Sequence, residues 1–175
     1  MKIAKLSLNG LQLLEAAPFT DERGFFKRSF AKEELLKFGV GFEVVHINHS
    51  YNKQRGTLRG MHFQNKPHEE AKIVQVLKGA IYDVVVDLRP DSPTFKKWLG
   101  VELSEENNKQ LYIPKGFAHG FQTLSENTLV EYYMDEYFYP ECASGINYQD
   151  PATNISWPLE VSVIAKKDRE LPNLK

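Results

Sequence analysis

The sequence predicts a mainly β protein built as an antiparallel sandwich or barrel, with one short helix and an irregular C-terminal tail. Short runs rich in β-branched and aromatic residues recur along its 175 residues, and clusters of Gly, Pro, Asn and Asp separate them. Only one segment has a clear helical pattern. Strands therefore do not alternate with helices as in a parallel α/β protein, and the sequence contains no glycine-rich phosphate-binding loop.

The first forty residues contain the N-terminal strands and the predicted helix. Residues 3–15 indicate two strands joined by a turn, and residues 24–30 indicate a further strand. A helix is expected at residues 31–39, with Ser29 as its N-terminal cap and Gly39 as its stop signal.

The rest of the chain, up to the tail, has the pattern of β-strands separated by turns. The predicted strands cover residues 42–52, 57–63, 71–77, 80–89, 94–104, 110–114, 115–124, 128–138 and 161–165. In the strand at 80–89, alternation sets Val84 and Val86 on one face and Asp83 on the other. From Pro140 the chain is rich in Asn, Asp and Pro, which predicts the irregular tail.

The composition is that of one soluble globular domain covering residues 1–175. Charged residues make up 26% of the chain, hydrophobic residues make up 42%, and the formal net charge is -1. This balance predicts no surface for nucleic acid, and the sequence has neither a signal peptide nor an apolar run long enough to span a membrane. Cys142 is the only cysteine, so an internal disulfide is excluded and we expect a cytoplasmic protein.

Residues 56–79 contain the first candidate site residues. Alternation sets His62 and Lys72 on strand faces among small and apolar side chains. Ionisable groups are costly to bury there without partners, which marks either a hydrogen-bonded core network or a functional site. Strict alternation would set Arg59 on the face opposite His62. Either Gly60 marks a bulge that brings both side chains to one side, or Arg59 reaches the ligand around the edge of the strand.

Two segments, residues 56–79 and 114–119, resemble the signature motifs of the cupin family of double-sheet jelly rolls. Metal-binding cupins use His and Glu ligands in these motifs, but here Gln64 and Lys72 take the place of a His and the Glu. An ammonium group at a ligand position repels a divalent cation, so we expect no metal. Three neighbouring side chains that could supply other ligands are expected to form a solvated cluster in a turn: His68, Glu69 and Glu70.

Further segments extend the resemblance over nearly the whole chain. They are, in order, DERGFF, RGTLRGMHFQ, AKIVQVLKGAIYDVVVDLRPDSPTFKKWLGVELS, QLYIPKGFAHGFQTLS, the strand with Glu131 and Tyr132, GINYQDP, WP and KDRELP. In order and spacing they resemble the dTDP-4-dehydrorhamnose 3,5-epimerase family. That resemblance implies a homodimeric cupin jelly roll that works without a metal or other cofactor. It also implies a substrate, dTDP-4-dehydro-6-deoxy-D-glucose, in which the carbons beside the ketone are inverted to give dTDP-4-dehydro-L-rhamnose.

The resemblance implies four catalytic roles. His62 corresponds to the base that removes the proton beside the ketone, and Asp168 corresponds to the carboxylate that orients this imidazole. Tyr132 corresponds to the acid that returns a proton from the opposite face, and Lys72 corresponds to the residue that stabilises the enolate oxygen. The set is chemically consistent, because inverting a carbon beside a carbonyl needs a base on one side and an acid on the other.

The same resemblance implies the residues that bind the substrate. Arg23 and Arg59 correspond to a clamp for the diphosphate, which suits the bidentate guanidinium group. Further pocket residues implied by the resemblance are Phe26, Asn48 and His119. At three more pocket positions the family often has Glu, Gln and Tyr, where this chain has Arg28, His46 and Phe138.

These departures leave alternatives open. One is inversion of a single carbon, or a CDP- or GDP-linked sugar in place of the dTDP-linked one. A second is a metal-dependent cupin. A third is a cupin that binds a sugar nucleotide without catalysis, although binding alone would need no base, acid or enolate-stabilising lysine.

Overall fold

The computed structural model describes residues 2–174, which form fourteen strands and two short helices. The strands are β1 (Lys2–Lys5), β2 (Gln12–Glu15), β3 (Phe19–Asp21), β4 (Gly24–Phe26), β5 (His46–Asn52), β6 (Thr57–Gln64), β7 (Lys72–Lys78), β8 (Ala80–Asp87), β9 (Trp98–Ser104), β10 (Lys109–Ile113), β11 (Phe117–Thr123), β12 (Thr128–Met134), β13 (Ala143–Gly145) and β14 (Val163–Ile164). The helices are α1 (Lys32–Lys37) and α2 (Lys166–Arg169). No helix in the described part of the chain is long and apolar enough to cross a membrane.

Two antiparallel sheets make up the body of the molecule. The first sheet has the strand order β1-β2-β10-β7-β12-β5, and the second has the order β13-β6-β11-β8-β9. Strand β14 pairs with β6 in parallel, while β3 and β4 form a separate hairpin. Most sheet neighbours are distant in sequence, as in a double-sheet jelly roll, so the predicted antiparallel sandwich is confirmed.

Apolar side chains from the facing sides of the two sheets form the main core. Val74 and Val130 of the first sheet pack in one cluster with Val85 and Phe121 of the second, and all four are almost fully buried. The outer face of the first sheet is covered as well, since Ile73 packs with residues of α1 and the loop after it. Both faces of β7 are therefore buried from Lys72 to Val76, which explains the apolar residues Ile73, Val74 and Val76.

The helices differ from the prediction in two respects. The predicted helix is present as α1, and Gly39, with φ of +79°, follows its end as expected. Its N-terminal cap is Ala31, without a side-chain hydrogen bond, so the prediction of Ser29 as the cap is wrong. The backbone carbonyl of Ser29 instead accepts a hydrogen bond from Gln110. The prediction of a single helix is also wrong, because α2 forms one turn that is too short to create a helical sequence period.

Strand β6 contains a bulge at Gly60, which is the first of the two alternatives considered for Arg59. Its register against β11 pairs His62 with His119 but Arg59 with Phe121, so β6 has one residue more than β11 over this interval. Gly60 lies within it with φ of +119°, and a Cβ at this position would be 2.5 Å from the Cα of Gly120. Only glycine fits this conformation and this close approach. The extra residue brings the side chains of Arg59 and His62 to the same cavity.

Candidate active site

A cavity of about 870 Å³ lies between the two sheets. The first sheet contributes side chains of β5, β7 and β12, and the second contributes side chains of β6 and β11. The chain from β14 to α2 and the loops after β6 and β12 complete the wall. Its ionisable side chains are His46, His49, Tyr51, Arg59, His62, Glu70, Lys72, His119, Tyr132, Glu136, Lys167 and Asp168.

His62 and Asp168 form a hydrogen-bonded pair at the second sheet, as predicted. The Nε2 atom of His62 lies 2.8 Å from Oδ1 of Asp168, and the other carboxylate oxygen accepts the backbone N–H of Gly60 at 3.2 Å. Asp168 belongs to α2 and is 2% exposed. Because an ionised carboxylate only accepts hydrogen bonds, Nε2 carries the proton and Nδ1 has the free lone pair.

The surroundings keep His62 in its neutral form. Burial lowers the pKa of the imidazole, and the opposing effect of the Asp168 carboxylate does not restore it. The positive charges of Lys167 and Lys72 lower the pKa further. At neutral pH the imidazole is therefore unprotonated and available as a base.

Tyr132 lies on the first sheet and reaches the same cavity. Its ring contacts His119 edge-on, with 6.0 Å between ring centroids, and packs near Phe121. Burial, followed by the negative charge of Asp83, raises the pKa of the phenol far above its ordinary value of 10.0. Arg59 and a hydrogen bond with Ser50 act in the opposite direction. The hydroxyl is thus protonated at neutral pH, and the same raised pKa makes it a weaker proton donor than a free phenol.

Lys72 is fixed by an ion pair in the cavity wall. Its ammonium group lies 2.7 Å from the carboxylate of Glu70, and the two side chains are only 6% and 12% exposed. His68 likewise has partners, since its ring stacks on Tyr139 and its Nδ1 lies 3.7 Å from Glu136. The prediction of a solvated cluster is therefore wrong for His68 and Glu70, because strand and loop packing bring both against other side chains.

The remaining predicted pocket residues divide into two groups. Five line the cavity: His46, Asn48, Arg59, His119 and Phe138. Three do not line it in the single chain: Arg23, Phe26 and Arg28. Arg23 is 83% exposed and pairs with Asp21, while Phe26 is 70% exposed on the hairpin of β3 and β4. The Arg28 guanidinium lies 3.8 Å from Glu34. The described part of one chain therefore brings five of the eight predicted substrate-binding residues to the cavity.

Sequence reasoning missed several side chains at this site. Asp83, which is fully buried, lies 2.6 Å from Nε2 of His119 and forms a second His–carboxylate pair. Its signal was an acid within a valine-rich strand, on the face that also carries Asp87. Lys167 and Glu70 also line the cavity. Each lies within two residues of a predicted site residue. Neither lies in an alternating strand pattern, from which the direction of its side chain could have been predicted.

A cavity that contains an oriented neutral histidine, a protonated tyrosine on the facing sheet and a fixed ammonium group is the site of an acid–base enzyme. Within residues 2–174, no group of three or more His, Cys, Asp and Glu side chains is arranged to hold a metal ion. The fold and the site together define a β-sandwich enzyme that moves protons on a small molecule.

Comparison with known proteins identifies the family. The family model described as dTDP-4-dehydrorhamnose 3,5-epimerase matches residues 5–175. The epimerase of that name from Methanothermobacter thermautotrophicus is 43% identical, over 99% of this chain and 95% of the relative. The Bacillus anthracis enzyme, solved with TDP and PPi bound, has a TM-score of 0.96 at 47% identity and 99% coverage of both chains. The Legionella pneumophila enzyme, solved in complex with dTDP-4-keto-L-rhamnose, has a TM-score of 0.91 at 38% identity, over 99% of this chain and 98% of that one.

The chain belongs to the dTDP-4-dehydrorhamnose 3,5-epimerase family. Its close structural likeness to family members also confirms the predicted cupin jelly roll.

Proposed function

We propose that this protein converts dTDP-4-dehydro-6-deoxy-D-glucose into dTDP-4-dehydro-L-rhamnose, by removing and returning the protons on the carbons beside the ketone. The observation that carries the proposal is that His62 and Tyr132 come from facing sheets and line one cavity. A sugar ring between them meets a base on one side and an acid on the other, which is the arrangement that inversion requires.

In the proposed reaction, Nδ1 of His62 takes the proton from the carbon beside the ketone. The electrons move onto the ketone oxygen and form an enolate, while Asp168 stabilises the imidazolium that results. Tyr132 then gives its hydroxyl proton to the same carbon from the opposite side. The configuration is thereby inverted. The proton that His62 holds returns to solvent, and the phenolate of Tyr132 takes a proton from solvent, which restores both groups.

Lys72 is proposed to stabilise the enolate oxygen. The charge on that oxygen develops only during the reaction, so an ammonium group fixed beside it favours the transition state over the bound substrate. If Lys72 resembles a donor of an oxyanion hole, its contribution is about 3–4 kcal/mol. Its ion pair with Glu70 holds the group in place before the substrate arrives.

The diphosphate is proposed to bind Arg59 and Lys167. Both cations line the cavity, and Arg59 is held by a hydrogen bond of 2.7 Å from Nε to Asn52. The dTDP-linked form of the substrate is supported by the two related structures whose bound molecules are TDP with PPi and dTDP-4-keto-L-rhamnose.

We also infer a homodimer in which the hairpin of each chain reaches the cavity of the other. The hairpin of β3 and β4 exposes Phe19, Phe25 and Phe26, each by more than 65%. Strand β5 ends the first sheet beside the cavity, and an open strand edge favours pairing with another chain. This arrangement would supply Arg23, Phe26 and Arg28 to the site from the second copy.

The reaction is proposed to need no metal or other cofactor, and we infer a cytoplasmic location. The ammonium group of Lys72 stands at the position where a metal-binding cupin has a carboxylate, and it would repel a divalent cation. The single Cys142 fits a reducing compartment, since the chain does not depend on an internal disulfide.

Proton NMR in deuterated water tests the proposed function with purified protein and dTDP-4-dehydro-6-deoxy-D-glucose. We expect deuterium at both carbons beside the ketone and signals of the inverted product, in protein that has been treated with a chelator. Exchange at one carbon alone would show that the protein is a single-carbon epimerase instead. No exchange with this substrate would overturn it.

A further inference from the structure

Gln64 is the last residue of β6, two positions after His62 of the cavity wall, and is 4% exposed. Its side-chain amide makes three hydrogen bonds, all to backbone groups. The Nε2 group donates to the carbonyls of His68, at 2.9 Å, and Tyr137, at 3.1 Å. The Oε1 atom accepts the backbone N–H of Tyr139 at 2.7 Å. One buried amide therefore joins the loop at residues 65–71 to the loop at residues 135–142.

These two loops form one rim of the cavity. The first carries Glu70, which holds Lys72, and the second carries Glu136 and Phe138. Glu136, Phe138 and Glu70 all line the cavity, and Phe138 is 65% exposed at its mouth. The stacked rings of His68 and Tyr139 provide a second link between the same loops.

We propose that Gln64 is a positioning residue that fixes this rim against the bound nucleotide sugar. The proposal rests on the proposed function and deepens it. An amide presents two N–H donors and an acceptor oxygen, so it can satisfy two carbonyls and one N–H at once, whereas an apolar side chain satisfies none. Connecting loops without such bonds open readily, and a rim ordered in advance reduces the entropy lost when the substrate binds.

Replacement of Gln64 by Met tests the proposal, because Met has a similar unbranched shape and removes all three bonds. Gln122 offers a matched control, since it is fully buried and bonds only to the backbone of Leu159 and Glu160. Q64M should raise KM about tenfold and leave kcat within about threefold, because ordering the loops then costs binding energy. Q122M should lower thermal stability to a similar degree but leave KM within about twofold.

Hydrogen exchange without substrate gives a second readout, which does not depend on catalysis. Residues 65–71 and 135–142 should exchange faster in Q64M and at the native rate in Q122M. Unchanged exchange and KM in Q64M, or an equal rise of KM in Q122M, would overturn the proposal. If the native protein does not turn over the substrate, the proposed function fails, but the exchange measurement still decides the role of Gln64.

If Q64M does not fold, a variant of the second link between the loops, the stacked rings of His68 and Tyr139, still tests the proposal. His68 is 30% exposed, so H68A should fold and remove only its contacts with Tyr139 and Glu136. It should raise KM about threefold, a smaller effect in the same direction, because the amide of Gln64 still holds the loops. An unchanged KM in H68A would show that the order of the rim does not govern binding.

Discussion

The pairing of His62 with Asp168 leads to a prediction about pH. Burial lowers the pKa of His62 from its ordinary value near 6.5, so the base stays neutral down to a lower pH than a free histidine. In native protein, kcat/KM should fall as the pH drops through this lowered pKa. Asp168→Asn removes the charge that raises the pKa, so the acid limb should move to still lower pH.

Asp168→Asn should also reduce kcat by about 10³-fold or more, because an amide orients the imidazole less well and does not stabilise its charged form. The pH profile of kcat/KM, measured between pH 4 and pH 8 for both proteins, checks the direction of the shift. If the fall of kcat/KM at acid pH moved to higher pH in the variant, or if the variant kept a kcat near the native value, Asp168 would not have the proposed role.

Because His62 and Tyr132 lie on opposite sides of the cavity, we predict that exchange of the substrate proton with solvent can be separated from inversion of the carbon. Tyr132→Phe keeps the ring that packs against His119 and Phe121 and deletes only the hydroxyl. Proton removal by His62 should persist, but a proton returned from the same side restores the original configuration. We expect solvent deuterium beside the ketone with at least about a hundredfold less epimer, the usual size of a lost general acid. Equal loss of exchange and inversion, read in one NMR experiment, would show that Tyr132 has another role.

At the scale of elements, the turn between β8 and β9 depends on one buried carboxylate. Burial alone would raise the pKa of Asp87, but hydrogen bonds from Arg89, Ser92 and Thr94 outweigh it and hold the pKa at about 2. A folded-state pKa below the unfolded value of about 3.9 stabilises the protein above that value, and this contribution is lost as the pH falls to about 2.

Asp87→Asn should therefore lower the free energy of unfolding by about 2 kcal/mol at pH 7 and by much less at pH 2. Urea denaturation at the two pH values measures the difference. Asp91→Asn, which changes an exposed carboxylate in the same turn, serves as the control and should leave stability within about 0.5 kcal/mol at both values. A loss for Asp87→Asn that does not depend on pH would contradict the assignment.

Most of the strands were predictable because alternating apolar residues report a buried face directly. The bulge at Gly60 was only one of two alternatives that the sequence allowed, because Arg59 could also have reached the ligand around the edge of the strand. Helix α2 was not, because one turn contains too few residues to show a period. The contact of Glu70 with Lys72 was also missed, since a loop has no fixed alternation from which to derive the direction of a side chain.

At the scale of the whole molecule, the inferred dimer explains why Arg23 does not line the cavity of its own chain. In that dimer, its distance from the cavity depends on the surface of a second copy, which neither alternation nor burial within the chain reports. We predict a particle of twice 20.1 kDa by light scattering at micromolar concentration. A mass of 20.1 kDa would exclude the inferred dimer.

The inferred exchange of hairpins between two chains predicts recovery of activity in mixed dimers. Arg23→Ala and His62→Ala should each inactivate the homodimer, but a mixed dimer has one site with both native residues. Co-expression in equal amounts should restore about a quarter of the native activity, since half of the dimers are mixed and each has one native site. Coexpressed Asp168→Asn and His62→Ala chains are the control and should stay inactive, because both residues belong to the same chain's site. If each hairpin served its own cavity, the first pair would stay inactive too.

The bulge in β6 has a consequence for any attempt to move this chemistry to another scaffold. In a regular strand, odd and even positions serve different sides, so a designer who copied Arg59 and His62 onto an ideal β-strand would separate the cation from the base. Because of the bulge, the side chains of Arg59 and His62 on one strand line the same side of the cavity. A transplant would have to carry over the backbone of Gly60 and the close approach of Gly120 along with the reactive side chains. The part of the site that would have to be transferred is therefore the bulged backbone segment of β6 together with its side chains.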